Sequence, residues 1–514
     1  MTVLGHHALV RGGAVLAIDQ GTTNTKAVLV DATTGTVRSE ASAPTGIRYP
    51  APGWVEQDAD QIWSSTLAAI DACLLQSPDA PVVGVGLSNQ RESVVCWSRI
   101  TGRPLGPVIG WQDARTAAWC ESLATTHPTA AHVVSARTGL TLDPMFSAPK
   151  FRAAIDAAVV GGADPRDVAV GTVDAWLLFK LTGEHATEPG NASRTLLFDL
   201  QSLTWHDELL ELFGVDRCHL PEIRPSDGGF GVTSGRYGRL PAGVPVVAVL
   251  ADSHAALFQH GCTAPGTGKA TYGTGSSVMS PTADLHSAPE GIATTVAWHI
   301  GGSPTFAREG NIVATGSALD WMAATLGAPA GTAGGAFLSE LATGADDDGG
   351  VSFVPAFSGL GAPHWDRSAT GLIAGVTGGT TPAHLARAAL QSVAHQVADV
   401  VDAMESDGVA HIEVLHADGG ATASALLMQL QADLLQRPVE VSRSPAASAL
   451  GVARLVAQRL GVTPPAPATG AHVHPRTGDP APARQAWARA VARSRGMTVP
   501  VLPTSTEAQI ERNT

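Results

Sequence analysis

At 514 residues the chain is too long for a single hydrophobic core, and with 44% apolar and 15% charged residues it is folded rather than disordered. Its 46 acidic against 32 basic residues give a formal charge of −14 with no dense Lys/Arg cluster, which argues against nucleic-acid or anionic-membrane binding but leaves anionic substrates open. Five cysteines, none in a Cys-x-x-Cys spacing, fit reduced thiols and neither a disulfide framework nor a zinc site.

Residues 1–14 hold one Arg and no apolar stretch long enough for a signal peptide. No run of about 18 apolar residues occurs, so a soluble, cytoplasmic protein is expected. Apolar runs at 15–18 and 27–30 flank Asp19-Gln20-Gly21-Thr22-Thr23 and predict strand, turn and strand over 15–37. After the turn Ala51-Pro52-Gly53, a helix is expected from residue 60 to 75. Strands follow at 82–87 and 93–97, joined by Ser88-Asn89-Gln90-Arg91-Glu92. The continuous apolar run 244–250 reads as a buried strand that delivers Asp252 to a helix at 253–259.

Near Gly261 the order starts again: residues 269–278 repeat strand, Gly-Thr turn and strand around Tyr272-Gly273-Thr274-Gly275. A helix is expected at 316–326, then a longer one with Thr381 as N-cap and Pro382 in its first turn. The stripe Leu385, Ala389, Val393, Val397, Val400, Met404 gives that helix its period, and Gly408 ends it. A strand at 412–415, the turn Asp418-Gly419-Gly420 and a helix at 424–435 complete the half. The glycine-rich, acidic stretch 327–350 reads as a mobile surface excursion, and 463–482 as a Pro/Ala-rich linker before a short amphipathic helix at 484–495. The expected units are therefore 14–260, 261–462 and 463–514. Such a layout is that of a duplicated α/β domain with ligand in the cleft between copies.

The two Gly-Thr turns present backbone N–H groups and hydroxyls suited to phosphate. Asp19 adds a carboxylate suited to a hard cation such as Mg²⁺, although Gly, Asp and Thr are also common in ordinary hairpins. Gly266-Thr267-Gly268-Lys269 fails as a P-loop, because residue 263 is Thr and Ala270 replaces the Ser/Thr. Asp252, at a strand end before a helix, is either an N-cap or a general base. Arg91 and Glu92 offer a forked donor and an acceptor for adjacent sugar hydroxyls, or else form a solvated pair. Trp111 is either an apolar face for a carbon chain or a core residue. The histidines include no HExxH; His254, His364 and His395 read as structural, and His472 and His474 lie in the Pro-rich tail.

Taken as an ordered series over residues 15–495, several motifs resemble those of the FGGY carbohydrate kinases. They are Asp19-Gln20-Gly21-Thr22-Thr23, Pro52-Gly53-Trp54-Val55-Glu56, Asn89-Gln90-Arg91-Glu92, Asn191-Ala192-Ser193-Arg194-Thr195, Thr271-Tyr272-Gly273-Thr274-Gly275, Gly359-Leu360-Gly361-Ala362-Pro363 and Asp418-Gly419-Gly420. The resemblance implies an α/β fold of two actin-like (ribonuclease-H-like) domains closing on ATP and a polyol. Within the family the motifs sit nearest to the glycerol-phosphorylating members. Carried over by position, Asp252 is the catalytic base and Asp19 the carboxylate associated with Mg²⁺. Thr22, Thr23, Asn24, Lys26, Gly273, Thr274, Gly316, Asp320, Gly420 and Ser424 fall on the ATP side, while Arg91, Glu92, Trp111 and Asp252 match the polyol set.

Three departures fall beside the polyol: Met145 where Tyr is usual, Ser277 where an aromatic is usual, and Ser253 where Gln is usual. They imply a roomier, differently wired pocket, and Ser147-Ala148-Pro149-Lys150 resembles the xylulose-phosphorylating members more. Glycerol is the first expectation, with a tetritol, pentitol, xylulose or ribulose as the alternative. The expected partners are a small polyol or sugar and ATP, without nucleic acid or membrane insertion; a homo-oligomer is left open. A chaperone-like or filament-forming actin ATPase would leave Arg91 and Glu92 without a role. A DNA-binding regulator would need a basic segment that residues 1–14 do not supply.

Overall fold

The computed structural model describes residues 12–497 except 284, 286–287, 409–410 and 467–469. Two sheets organise it. In the first, β1 (Ala14–Gln20), β2 (Asn24–Asp31) and β3 (Val37–Pro44) form consecutive antiparallel pairs. The parallel strands β4 (Val82–Asn89) and β5 (Val246–Ala251) complete the order β5-β4-β1-β2-β3. Helix α1 (Ala59–Leu75) starts where the Asp58 carboxylate accepts from the N–H groups of Asp60 and Gln61. It buries Ile62, Thr66, Ala69, Ile70 and Cys73, a helical stripe, against β2 and β3.

The second sheet holds β6 (Thr267–Tyr272), β7 (Ser276–Thr282), β8 (Ala293–Ile300), β9 (Ser303–Ile312), β10 (Val414–Asp418), β11 (Val439–Val441) and β12 (Ala471–Val473). Its order is β8-β9-β7-β6-β10-β11-β12. The central five, β9-β7-β6-β10-β11, repeat the first sheet strand for strand and direction for direction. Each Gly-Thr turn thus joins the first two strands of its own sheet.

Between β4 and β5 the chain builds most of a smaller sheet from Val94–Ser98, Val108–Ile109 and Val168–Thr172, which Glu56–Gln57, from just before α1, joins at its edge, with helix α2 (Ser147–Val160) packed on it. One hydrophobic cluster runs from this insert (Val94, Met145, Phe146, Phe198) to Ala293 and Val296 of β8, joining the halves on one side. Helices α3 (Asp252–Gln259), α4 (Gly316–Thr325), α5 (Gly334–Ala342), α6 (Pro382–Glu405), α7 (Ala425–Leu435), α8 (Ala447–Arg459) and α9 (Ala481–Ser494) follow. In α6, Thr381 forms a capping box with His384.

Late as it comes in the chain, α8 packs on β1 and β4 of the first sheet and on α3, which in turn touches β6 and β7. Close approach explains Gly451: a Cβ there would come within 1.9 Å of the Ala255 carbonyl. The α3–α8 pair therefore locks the two sheets together.

Two expectations are corrected. Stretch 327–350 contains α5, whose Leu338 and Ala342 are fully buried against α4 and α6. Its apolar face supplies core that the flanking glycines obscure in the sequence. Segment 463–482 is not simply linker: β12 pairs antiparallel with β11. The helix expected at 484–495 is α9, which seats Trp487 on His395 of α6 and donates from Trp487 Nε1 to Asp399 (2.6 Å). Residues 498–514 of the expected C-terminal unit lie outside the described residues. Among the described residues no helix is long and apolar enough to cross a membrane.

Candidate active site

The first turn is held from below by glutamines. Gln90 donates to Gln20 (3.0 Å) and Gln57 (3.0 Å), while Gln57 and Thr45 both donate to the Thr22 carbonyl (2.7 and 2.8 Å). The second turn is pinned by α4, whose Gly316 N–H donates to Gly273 O (2.9 Å). A Cβ on Gly316 would stand 2.6 Å from that oxygen, and one on Gly275 would stand 2.4 Å from Ile312 O. Small residues are required here by contact rather than by flexibility.

The turns face each other across a cavity of about 200 Å³. Of the residues expected from sequence, Thr22, Thr23, Arg91, Glu92, Trp111, Met145, Asp252, Ser253, Gly273, Thr274 and Ser277 line it. Asp19 lies just beside it at the end of β1, accepting from Ser88 Oγ (3.1 Å). Outside it are Asn24, Lys26, Gly316, Asp320, Gly420 and Ser424. Lys26 reaches the Pro445 carbonyl (3.5 Å), and Asp320 accepts from Gly334 N (3.0 Å). Ser424 caps α7 and meets Ser339 Oγ at 2.6 Å. A larger cavity of about 620 Å³ lies elsewhere, between the 31–36 hairpin and α8, and contains neither turn nor Asp252.

Several alternatives left open by the sequence are decided by geometry. Ala251, not Asp252, is the N-cap of α3; the Asp252 side chain, 35% exposed, faces the cavity, with its Oδ1 3.3 Å from Arg91 Nε. Burial pushes the Asp252 pKa up, and Arg91 opposes the shift. Arg91 and Glu92 are buried, so they are no solvated pair. Glu92 is held at φ 59°, a strained conformation for a side chain of this type. Trp111 donates from its indole to Thr22 Oγ1 (3.0 Å), tying one pocket wall to the first turn. Residues 268–269 lie inside β6, where buried Lys269 donates to Thr271 (2.8 Å), so the P-loop reading fails structurally too.

Sequence reasoning missed the group that organises this wall. Glu309, fully buried on β9, accepts from Arg91 Nη1 (2.5 Å) and Ser277 Oγ (2.8 Å) and pairs with Arg194 Nη1 (2.9 Å). Arg194 also donates from Nε to Glu92 (2.6 Å). Burial opposes the Glu309 charge, but Arg194 and Arg91 outweigh it and hold this carboxyl well below the usual range. Arg194 stood within a quoted motif; Glu309 stood in none, and only strand register brings it here.

Asp19 is the candidate for holding a cation. Its pKa is pushed up to about 6, first by burial and then by nearby Asp252, with Lys26 and Ser88 opposing. That surplus of negative charge suits a divalent ion. Among the described residues no group of three or more His, Cys, Asp or Glu could hold a metal. A single carboxylate fits Mg²⁺, which keeps waters and shares nucleotide phosphates rather than entering an all-protein cage.

The N-terminal domain of the FGGY family of carbohydrate kinases matches residues 14–259, and its C-terminal domain matches residues 268–459. The chain belongs to the FGGY family of carbohydrate kinases. Among its relatives, an apulose kinase from Pectobacterium atrosepticum is 45% identical over 87% of this chain and 90% of its own length. A glycerol kinase from Thermus brockianus is 43% identical, covering 94% of this chain and 98% of that one. Among solved structures, Plasmodium falciparum glycerol kinase with ADP superposes with a TM-score of 0.81 at 28% identity, covering 96% of this chain and 99% of that one. The two repeated sheets are thus the two FGGY domains, and the chain is an ATP-dependent carbohydrate or polyol kinase.

Proposed function

We propose that this FGGY kinase transfers the terminal phosphoryl group of ATP to a hydroxyl of a small polyol, glycerol to glycerol 3-phosphate being the first candidate. The observation carrying this reading is Asp252, exposed to a cavity between two Gly-Thr turns with Arg91 at 3.3 Å. Its carboxylate accepts the proton of the attacking hydroxyl and aligns that oxygen for in-line attack. Arg91 and Glu92 bind the neighbouring hydroxyls, and the face of Trp111 covers the carbon chain. The turns at Thr22 and at Gly273-Thr274 cradle the phosphates. Asp19 would hold Mg²⁺, which when bound neutralises phosphate charge. Residues 14–260 then carry the acceptor and the first phosphate turn, residues 261–462 carry the nucleotide, and 463–514 form the appended segment. Enclosure of the cleft excludes water and limits wasteful hydrolysis of ATP. A cytoplasmic setting, where ATP is abundant, suits this reaction.

A second reading is favoured by Met145, Ser253 and Ser277 in the cavity wall: a tetritol, pentitol or pentulose acceptor. The kinship with both an apulose kinase and a glycerol kinase is compatible with either. An ATP-consumption assay over glycerol, dihydroxyacetone, tetritols, pentitols, xylulose and ribulose separates them. Absence of turnover on every hydroxylated acceptor would remove the kinase reading. A best rate on a pentulose would replace glycerol alone.

A further inference from the structure

Opposite Asp252 the cavity has a second polar wall. Ser277 on β7 and Asn311 on β9 are directly paired across the two strands, so their side chains leave the same face of the sheet. Both line the cavity. Glu309, two residues before Asn311, lies behind them. Its Oε1 accepts from Arg91 Nη1 (2.5 Å) and from Ser277 Oγ (2.8 Å). The Asn311 amide lies against Glu309, Arg194 and Arg91 Nη2 (3.4 Å); assigned with its nitrogen towards Glu309, it donates to Glu309 Oε1 (2.8 Å) and accepts from Arg194 Nη2 (2.7 Å), the orientation that satisfies both ends.

These bonds fix what the wall can offer. Ser277 commits its only proton to Glu309, so towards the cavity its oxygen is an acceptor. Asn311 commits one N–H to Glu309 and keeps the second as a donor. With the amide so assigned, the pair is an acceptor–donor couple on the cavity wall, and turning either side chain breaks its bond to a buried carboxylate. Its position is set by Arg91, whose Nε faces Asp252 while Nη1 faces Glu309. The couple therefore lies at the end of the guanidinium away from the base.

We infer that Asn311, acting with Ser277, is a specificity-determining residue that reads an oxygen substituent on the part of the acceptor remote from the reacting hydroxyl, selecting polyols or ketoses of four or five carbons over glycerol. This rests on the kinase reading above and takes the second of its two acceptor readings. A three-carbon acceptor held at Asp252 leaves the couple unpaired. A site built to hydrogen-bond a substrate group rejects an analogue lacking it more strongly than an apolar pocket does.

The test is kcat/KM of the full chain and of Asn311→Leu and Asn311→Ser on glycerol, erythritol, xylulose and ribulose, with ATP binding measured alongside to report folding. The wild type is expected to favour one of the longer acceptors over glycerol. Asn311→Leu should lower that selectivity ratio about tenfold or more, chiefly through KM, and Asn311→Ser should restore part of it. A wild type most active on glycerol overturns the inference and leaves the kinase reading intact. So does a substitution that lowers all acceptors by one common factor, since Asn311 would then act only as a prop for Glu309. No turnover on any acceptor removes both. If neither variant binds ATP, the wild-type preference alone decides.

Discussion

As the proposed base, Asp252 would act through its carboxylate, and its surroundings set the pH at which that group is ionised. Burial raises its pKa while Arg91 lowers it. A base must be ionised to accept a proton, so kcat/KM should fall on acidification, with the acid limb above the ordinary carboxylate range. Replacing Arg91 by Met removes the opposing charge and should move that limb to higher pH; a limb that stays put would dissociate the two residues. Asp252→Asn should still bind ATP but lose about 10²–10⁴-fold in kcat, read by steady-state kinetics.

Glu309 is the complementary case. With Arg91 and Arg194 both directed at it, Glu309→Gln leaves buried guanidinium charge uncompensated and should cost about 3–5 kcal/mol in denaturant unfolding. Because its folded pKa is depressed, the stability it contributes is present above the unfolded value of 4.5 and is lost as pH falls below that.

At the scale of elements, α2 shapes the pocket without lining it. Lys150, buried in its first turn, donates to Gly110 O (3.1 Å) and Met145 O (2.7 Å), stapling together the segments that carry Trp111 and Met145. Burial pulls its pKa down to about 8, with Glu92, Asp113 and Asp143 opposing. Lys150→Met should loosen both walls, raising KM for the polyol several-fold while leaving KM for ATP nearly unchanged. Equal effects on the two substrates would argue for global damage instead. Helix α5 and strand β12 show why elements escape a linear reading. Leu338 sits among glycines, and Ala471–Val473 follows a Pro/Ala-rich run, so local propensity points away from structure. Packing on α4 and α6, and pairing with β11, override it. By contrast α6, with its cap, proline and unbroken apolar stripe, was fully legible.

For the whole molecule, the cleft is built from both halves at once. Arg91 and Arg194 come from the first and Glu309, Ser277 and Asn311 from the second. Behind the cleft, His260 at the end of α3 meets Asp418 at the end of β10 (2.8 Å). A ligand touching both walls draws on both domains. Each ligand alone adds about 2.7 kcal/mol at 100 times its Kd, and polyol with a non-hydrolysable ATP analogue should raise the calorimetric unfolding temperature by more than the two separate effects combined. A merely additive rise would show the two sites to be independent.

By itself the sequence determined what depends on neighbours in the chain: the strands with their Gly-Thr turns, the capped helices, the duplication and the residues presented at strand ends. Strand alternation and turn chemistry act over a few residues, so they are written locally. The tertiary structure alone decided which of the presented residues meet. Arg91 and Glu309 lie 218 positions apart and Arg194 and Glu92 lie 102 apart. The Arg91–Glu309 pair depends on the packing that joins the two halves, and the β7–β9 register sets Ser277 and Asn311 beside it. Those contacts are set by burial of whole faces rather than by any local motif, and through them the second wall of the pocket came into view.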